Sequence, residues 1–146
     1  MTGVHIAIGV GMVVVNLAAM LAGAYQWWRA PHARVFWPLL RAGQALTVLA
    51  AADGLILVIA GHELPDLHLI YGLTPIGVSF LAEQLRLASA DTVLASRDLE
   101  DAQAMRGLPE REQHAIVHQI IRREVGVMAA SAFVVAVLGL RAGAWL

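Results

Sequence analysis

The chain has 146 residues, of which 59% are hydrophobic and 14% are charged, and its formal net charge is -1. A soluble domain is about 45 to 50% apolar and about 25% charged, so both values indicate a membrane protein. The near-neutral charge gives no reason to expect a nucleic-acid partner. The absence of cysteine excludes disulfide frameworks, thiolate metal sites and iron-sulfur clusters.

Four apolar segments are candidates for membrane spans, at about residues 4–25, 38–61, 67–88 and 126–140. A helix needs about 20 apolar residues to cross the bilayer core. The first segment is preceded by no basic region and followed by no cleavage site, so we expect it to be retained as an anchor. We therefore predict an all-α fold, an integral membrane four-helix bundle that forms a single domain.

The loops between these segments differ in charge, which predicts their side of the membrane. Residues 26–37 contain Arg29 and Arg34 without an acid, whereas residues 62–67 contain Glu63 and Asp66 without Arg. Because basic residues accumulate on the cytoplasmic side, we expect both termini to lie outside the plasma membrane. Tryptophans that would form interfacial belts are Trp27, Trp28 and Trp37 inside and Trp145 outside.

Residues 89–124, between the third and fourth spans, mix apolar and charged side chains and predict an amphipathic cytoplasmic helical hairpin. We expect its first helix to continue the third span as far as about Met105. Gly107 and Pro109 would then separate it from a second helix that runs directly into the fourth span. The hairpin could cap the bundle, or bind a membrane-complex partner or a second copy of the chain. His114 and His118 on this arm have the i, i+4 spacing of a chelating pair.

Three histidines are expected at the outer face of the bundle. His5 begins the first span, His62 ends the second and His68 begins the third. The first and third helices enter from the same side, so His5 and His68 should lie at similar depth and could face one another. Two opposed imidazoles in a helical bundle can serve as the axial ligands of a haem. Small residues that would make room for its ring are Gly9, Gly11 and Gly72.

The segment around His68 resembles a known family. Arg41-x-x-Gln44, the glycines at 54 and 61, Pro65 and the run Leu-His-Leu at 67–69 are similar to one four-helix half of the haem A synthase (cytochrome oxidase assembly) family, over about residues 4–82. The resemblance implies that His68 and His5 ligate a haem. The family places the earlier ligand in a Glu-x-x-His-Arg motif and has two such halves. Here Thr2 and Ile6 occupy the Glu and Arg positions, so the resemblance implies haem b binding rather than haem A synthesis.

Simpler interpretations of the same residues stay open. An interfacial histidine is often only a polar residue tolerated among lipid headgroups. A divalent metal ion held by His62, Glu63, Asp66 and His68 is conceivable, although the spacing matches no specific template.

Polar residues inside the apolar segments are expected to face the bundle interior, because they are costly in hydrocarbon. They are Asn16, Gln44 and Asp53. Asp53 could relay protons, bind a cation or support a haem-bound histidine; it could also be a neutral acid that hydrogen-bonds Asn16 or a backbone carbonyl. At the inner end we predict a structural ion pair between Arg41 and Glu83, with Arg86 one turn from Glu83.

These observations predict a small haem b-binding membrane protein that serves electron transfer or haem and oxidase handling. The alternative is a cofactor-free interaction or assembly subunit whose arm binds a partner. A small transporter that uses Asp53 has less support, because four spans would need a dimer to form a pathway. No catalytic residues are predicted, and an enzymatic role is not favoured.

Overall fold

The protein is described by a computed structural model over residues 3–29, 34–63 and 67–143, and these residues are almost entirely helical. The four α-helices are α1 (Gly3–Arg29), α2 (Phe36–Ile59), α3 (His68–Ala95) and α4 (Glu110–Ala142). A short 3-10 helix, Ala104–Gly107, precedes α4. The described ranges contain no strand, so the all-α prediction is confirmed.

Three of the helices, α1, α2 and α4, are long and apolar enough to cross a membrane. They contain the first and fourth predicted spans and residues 38–59 of the second, and they are consistent with a membrane protein. The third predicted span, apart from Leu67, lies in α3, which has 28 residues but does not reach the same mean hydropathy. Polar residues along α3 account for this difference, among them His68, Glu83 and Gln84.

Neighbouring helices run antiparallel, and their packing is uneven. α1 packs between α2 and α4, and α4 also packs along α3, whereas α2 and α3 make few contacts with each other. The beginnings of α1 and α3 therefore meet the ends of α2 and α4 at one end of the bundle, which we call the histidine end. The opposite end, which continues into the helical hairpin, is the hairpin end. A cleft remains between α2 and α3.

The core between α1, α2 and α4 depends on small residues that let helix backbones approach closely. A Cβ atom at Gly23 would lie 2.7 Å from the Cβ of Ala129 and 2.7 Å from the Phe36 ring. A Cβ atom at Gly43 would lie 2.9 Å from the amide of Asn16. Asn16 is buried there and donates from Nδ2 to the carbonyl oxygen of Met12 at 2.9 Å.

The hairpin has a small apolar core of its own, in which Val93 and Leu94 of α3 pack against Ile116 of α4. As predicted, α4 runs without interruption from the amphipathic arm into the apolar segment. The predicted extension of α3 to Met105 is wrong, because α3 ends at Ala95. The backbone turns there, with Asp98 at φ 56° and the N–H of Leu99 donating to the carbonyl oxygen of Leu94 at 3.1 Å.

A polar cluster joins α2 to α3 near the hairpin end. The Glu83 carboxylate accepts hydrogen bonds from the Arg41 guanidinium, from Gln44 Nε2 at 3.0 Å and from Arg86 Nε at 2.9 Å. Both guanidinium groups also lie near the Trp37 ring, at 6.0 Å and 5.8 Å from its centroid. The cluster links two helices that otherwise make few contacts, so it sets their relative rotation.

Candidate functional site

His5, in the first turn of α1, forms a hydrogen bond with Asp53 on α2. The distance from His5 Nδ1 to Asp53 Oδ2 is 3.0 Å, and the two side chains are 13% and 27% exposed. Gly54 lets the His5 ring approach α2 closely, because a Cβ atom there would lie 3.2 Å from His5 Cε1. An ionised carboxylate at Asp53 would accept from Nδ1, and Nε2 of a neutral His5 would then carry the lone pair.

His68, the first residue of α3, is held by the end of α4. Its Nδ1 lies 3.0 Å from the carbonyl oxygen of Ala142, one of the last carbonyls of α4, which lack a partner within the helix. A carbonyl oxygen can only accept, so His68 donates from Nδ1, and in a neutral ring Nε2 would carry the lone pair. The same bond caps α4, which is a structural role for His68 in its own right.

The two histidines approach each other across the bundle, from α1 and α3. Their ring centroids are 5.9 Å apart, and the ring planes are inclined at 53°. An imidazole nitrogen binds a transition metal at about 2.0 to 2.1 Å, so rings about 6 Å apart leave room for one ion between them. In metal sites the other ring nitrogen usually donates to a carboxylate or a backbone carbonyl. The partner of His5 is a carboxylate, and the partner of His68 is a backbone carbonyl.

A cavity of about 560 Å³ adjoins the two rings in the cleft between α2 and α3. Its walls are mostly apolar, and its volume is within the range of about 300 to 1,000 Å³ that is usual for ligand and cofactor sites. Gly9 and Gly72 line it, and no atom lies within 4 Å of a Cβ built at either position. Gly11 does not line the cavity: its Cβ would lie 3.8 Å from Leu46 Cδ1 on α2.

The predicted polar residues fall into two separate groups. Asp53 contacts His5 at the histidine end, whereas Gln44 joins Arg41, Glu83 and Arg86 in the cluster toward the hairpin end. Asn16 contacts neither group, because its amide bonds within α1. Among the partners considered for Asp53, the one that it contacts in the structure is His5.

The other histidines that the structure describes, His62, His114 and His118, do not line the cavity. His62 and Glu63 are exposed after the end of α2, and Asp66 and Trp145 lie outside the described residues. In the described ranges no group of three or more His, Asp or Glu side chains is placed to hold a metal ion. His114 is exposed on α4 and lies 3.6 Å from Glu110.

Two parts of the site were not predicted from the sequence. The Ala142 carbonyl has no sequence signal, because every residue carries a backbone carbonyl. Tyr71 borders the cavity, with the Arg141 guanidinium 5.5 Å from its ring centroid. A basic residue in the last turn of α4 was the signal that could have indicated Arg141.

Comparison with protein-family models, with curated proteins and with solved structures gave no match for this chain. The resemblance to haem A synthases therefore stays a prediction, and the geometry of the two histidines carries the functional argument.

Proposed function

We propose that this protein binds one haem b between His5 and His68, and that it serves electron transfer or haem and oxidase handling in the plasma membrane. The observation that supports this function most is the orientation of the two imidazoles. Nδ1 of each ring contacts an oxygen atom of another helix, so Nε2 of each neutral imidazole would be available to a ligand.

The surroundings of the two rings suit a haem. The cavity beside them is large and mostly apolar, as a flat hydrophobic macrocycle requires, and Gly9 and Gly72 leave its walls open. Arg141 brings a positive charge to the histidine end, where the two carboxylates of a haem could meet it. The metal-ion alternative has less support, since the described residues bring only two imidazoles together.

In this proposal α3 also spans the membrane, although its hydropathy is lower than that of the other three helices. Several of its polar groups have partners inside the protein: Glu83 binds residues of α2 and α3, and His68 binds α4. The hydroxyl groups of Thr74 and Ser89 donate to carbonyls of α3 itself, at 2.6 Å and 2.9 Å. Paired polar groups lower the cost of placing such a helix in a bilayer. Both termini would lie outside and the hairpin in the cytoplasm.

A haem held by two imidazoles supplies one-electron transfer. The protein's part is to hold both ligands and to keep water away from them. Asp53 orients His5 and increases the basicity of its Nε2, and the Ala142 carbonyl orients His68.

The proposal is tested by the visible spectrum of the purified protein. The full chain is expressed with ample haem supply, purified in detergent and titrated with haemin, with empty detergent micelles as the control. We expect about one haem per chain and the spectrum of a six-coordinate, low-spin, bis-histidine haem. A preparation that stays colourless, and that binds haemin no better than the micelles do, would contradict haem binding and favour the cofactor-free subunit.

Asp53→Asn is expected to weaken haem binding about tenfold to a hundredfold, the usual cost of losing an outer partner of a ligating histidine. Asparagine can still accept from His5 Nδ1 but lacks the negative charge, so the midpoint potential should also rise. Haemin titration and a redox titration measure the two effects. Glu63→Gln, which changes an exposed carboxylate at the same end, is the matched control. If the two variants have the same haem affinity and the same midpoint potential, Asp53 does not support His5 as a haem ligand.

A further inference from the structure

A second cavity, of about 270 Å³, lies at the hairpin end between α1 and α4. We call it the hairpin-end pocket. The residues that matter for its chemistry are Trp27, Trp28 and Arg29 at the end of α1, and His118 and Arg122 on α4. It lies at the opposite end of the bundle from the two haem-ligand candidates, so the haem proposal does not use it.

One wall of the pocket is an aromatic ring held in place by α4. The Arg122 guanidinium carbon lies 4.7 Å from the centroid of the Trp27 ring, a cation-π distance. A Cβ atom at Gly126 would lie 3.2 Å from Trp27 Nε1, so the ring packs closely against the α4 backbone. The packing of Trp27 therefore fixes the position of Arg122 at the pocket.

The pocket combines two positive charges, and the described residues that line it include no Asp or Glu. Arg29 and Arg122 come from different helices, and both are exposed. Among the residues that the structure describes, no carboxylate lies within 4.0 Å of either guanidinium, whereas Arg41 and Arg86 share Glu83. A guanidinium presents several fixed N–H donors that match a phosphate group, and His118 adds a further polar group.

We propose that the hairpin-end pocket binds the phosphate of an anionic phospholipid. The pocket lies where the apolar part of α1 ends, and Trp27 and Trp28 are 44% and 75% exposed there, as is typical of residues at a bilayer interface. The adjoining surface of α1 exposes Leu21 at 64%, which acyl chains could cover. Basic pockets between membrane helices at this level bind anionic headgroups. A free phosphate ion would not use this apolar surface, so the lipid is the better occupant.

The experiment uses the full chain in detergent and native mass spectrometry, with phosphatidylglycerol and phosphatidylcholine of identical acyl chains as probes. We expect phosphatidylglycerol to bind more tightly than phosphatidylcholine. The double variant Arg29→Gln/Arg122→Gln should bind phosphatidylglycerol at least about tenfold more weakly, because each basic residue near a membrane surface contributes to anionic lipid binding. The control is Arg106→Gln/Arg111→Gln, which removes the same charge from exposed positions of the hairpin.

The possible results are distinct. Equal binding of the two lipids by the unaltered chain, or equal weakening by the two double variants, would overturn the proposal. A third arm titrates inorganic phosphate and follows tryptophan fluorescence. Binding of free phosphate as tight as that of the lipid would show an ion site and reject the lipid.

If the Arg29/Arg122 variant does not fold, the single variant Arg122→Lys replaces it in the experiment. Lysine keeps the charge but loses the fork geometry of the guanidinium, so this variant is expected to bind phosphatidylglycerol more weakly than the unaltered chain and more tightly than phosphatidylcholine is bound. If Arg122→Lys binds phosphatidylglycerol as tightly as the unaltered chain does, the proposal that the pocket binds the lipid phosphate is overturned.

Discussion

His68→Ala is expected to remove the Soret band of the haem-loaded protein and to lower haem affinity by more than about a hundredfold. Loss of an outer partner of a ligating histidine alone costs about tenfold to a hundredfold, and loss of the ligand itself should cost more. His5→Ala should behave in the same way, because the two rings face the same space, with centroids 5.9 Å apart. Haemin titration followed by absorbance measures both affinities.

The control and a rescue experiment separate ligation from folding. His62→Ala removes an exposed imidazole at the same end of the bundle and should leave the spectrum unchanged. His68→Ala also removes the bond to the Ala142 carbonyl, which could loosen the ends of α3 and α4. Added imidazole should restore the low-spin spectrum of both alanine variants if the cavity is intact. Retention of the band in both single variants, or its loss in His62→Ala as well, would reject His5 and His68 as ligands.

Gly23→Val is expected to lower the free energy of unfolding by about 1 to 3 kcal/mol, the usual cost of overpacking a core. The Cβ atom of any other residue would meet the Cβ of Ala129 and the Phe36 ring, each at 2.7 Å. Neither neighbour can move freely, since both belong to the buried core of α1, α2 and α4. The thermal midpoint in detergent, followed by tryptophan fluorescence, measures the effect.

Gly77→Val is the matched control, because Gly77 is an exposed glycine inside α3 with no atom within 4 Å of its Cβ position. Both substitutions place the same β-branched residue in a helix, so their difference reports packing rather than helix propensity. Gly23→Ala should fall between Gly23→Val and the unaltered chain. Equal thermal midpoints for Gly23→Val and Gly77→Val would mean that α1, α2 and α4 do not pack as described.

Much of the architecture follows from local sequence. Apolar segments of membrane-spanning length predict the helices, and Pro109 indicates where α4 begins. The boundary of α3 could not be read in this way, because residues 96–105 keep an amphipathic composition although the backbone turns after Ala95. Tertiary packing decides where the chain turns. Val93 and Leu94 pack against Ile116 of α4, and if α3 continued beyond Ala95 the chain would not return at the level where this contact forms.

The candidate site was predictable only in outline. The alternation of helix direction places His5 and His68 at the same end of the bundle, and the cost of a carboxylate in hydrocarbon directs Asp53 inward. Neither argument gives the rotation of a helix about its axis. That rotation decides that Asp53 reaches His5 rather than Asn16, and that Gln44 reaches Glu83.

By itself the sequence determined that this is an all-α protein with helices suited to a membrane, because hydropathy and helix length are properties of local stretches. Only the tertiary structure decided which atoms the two imidazoles contact, where the cavity opens and which arginines meet at the hairpin-end pocket. Those features depend on contacts such as His68 with Ala142 and Trp27 with Gly126, which join residues far apart in the chain. Close packing of helices at small residues determines these contacts, and no single stretch of the sequence is sufficient to predict them.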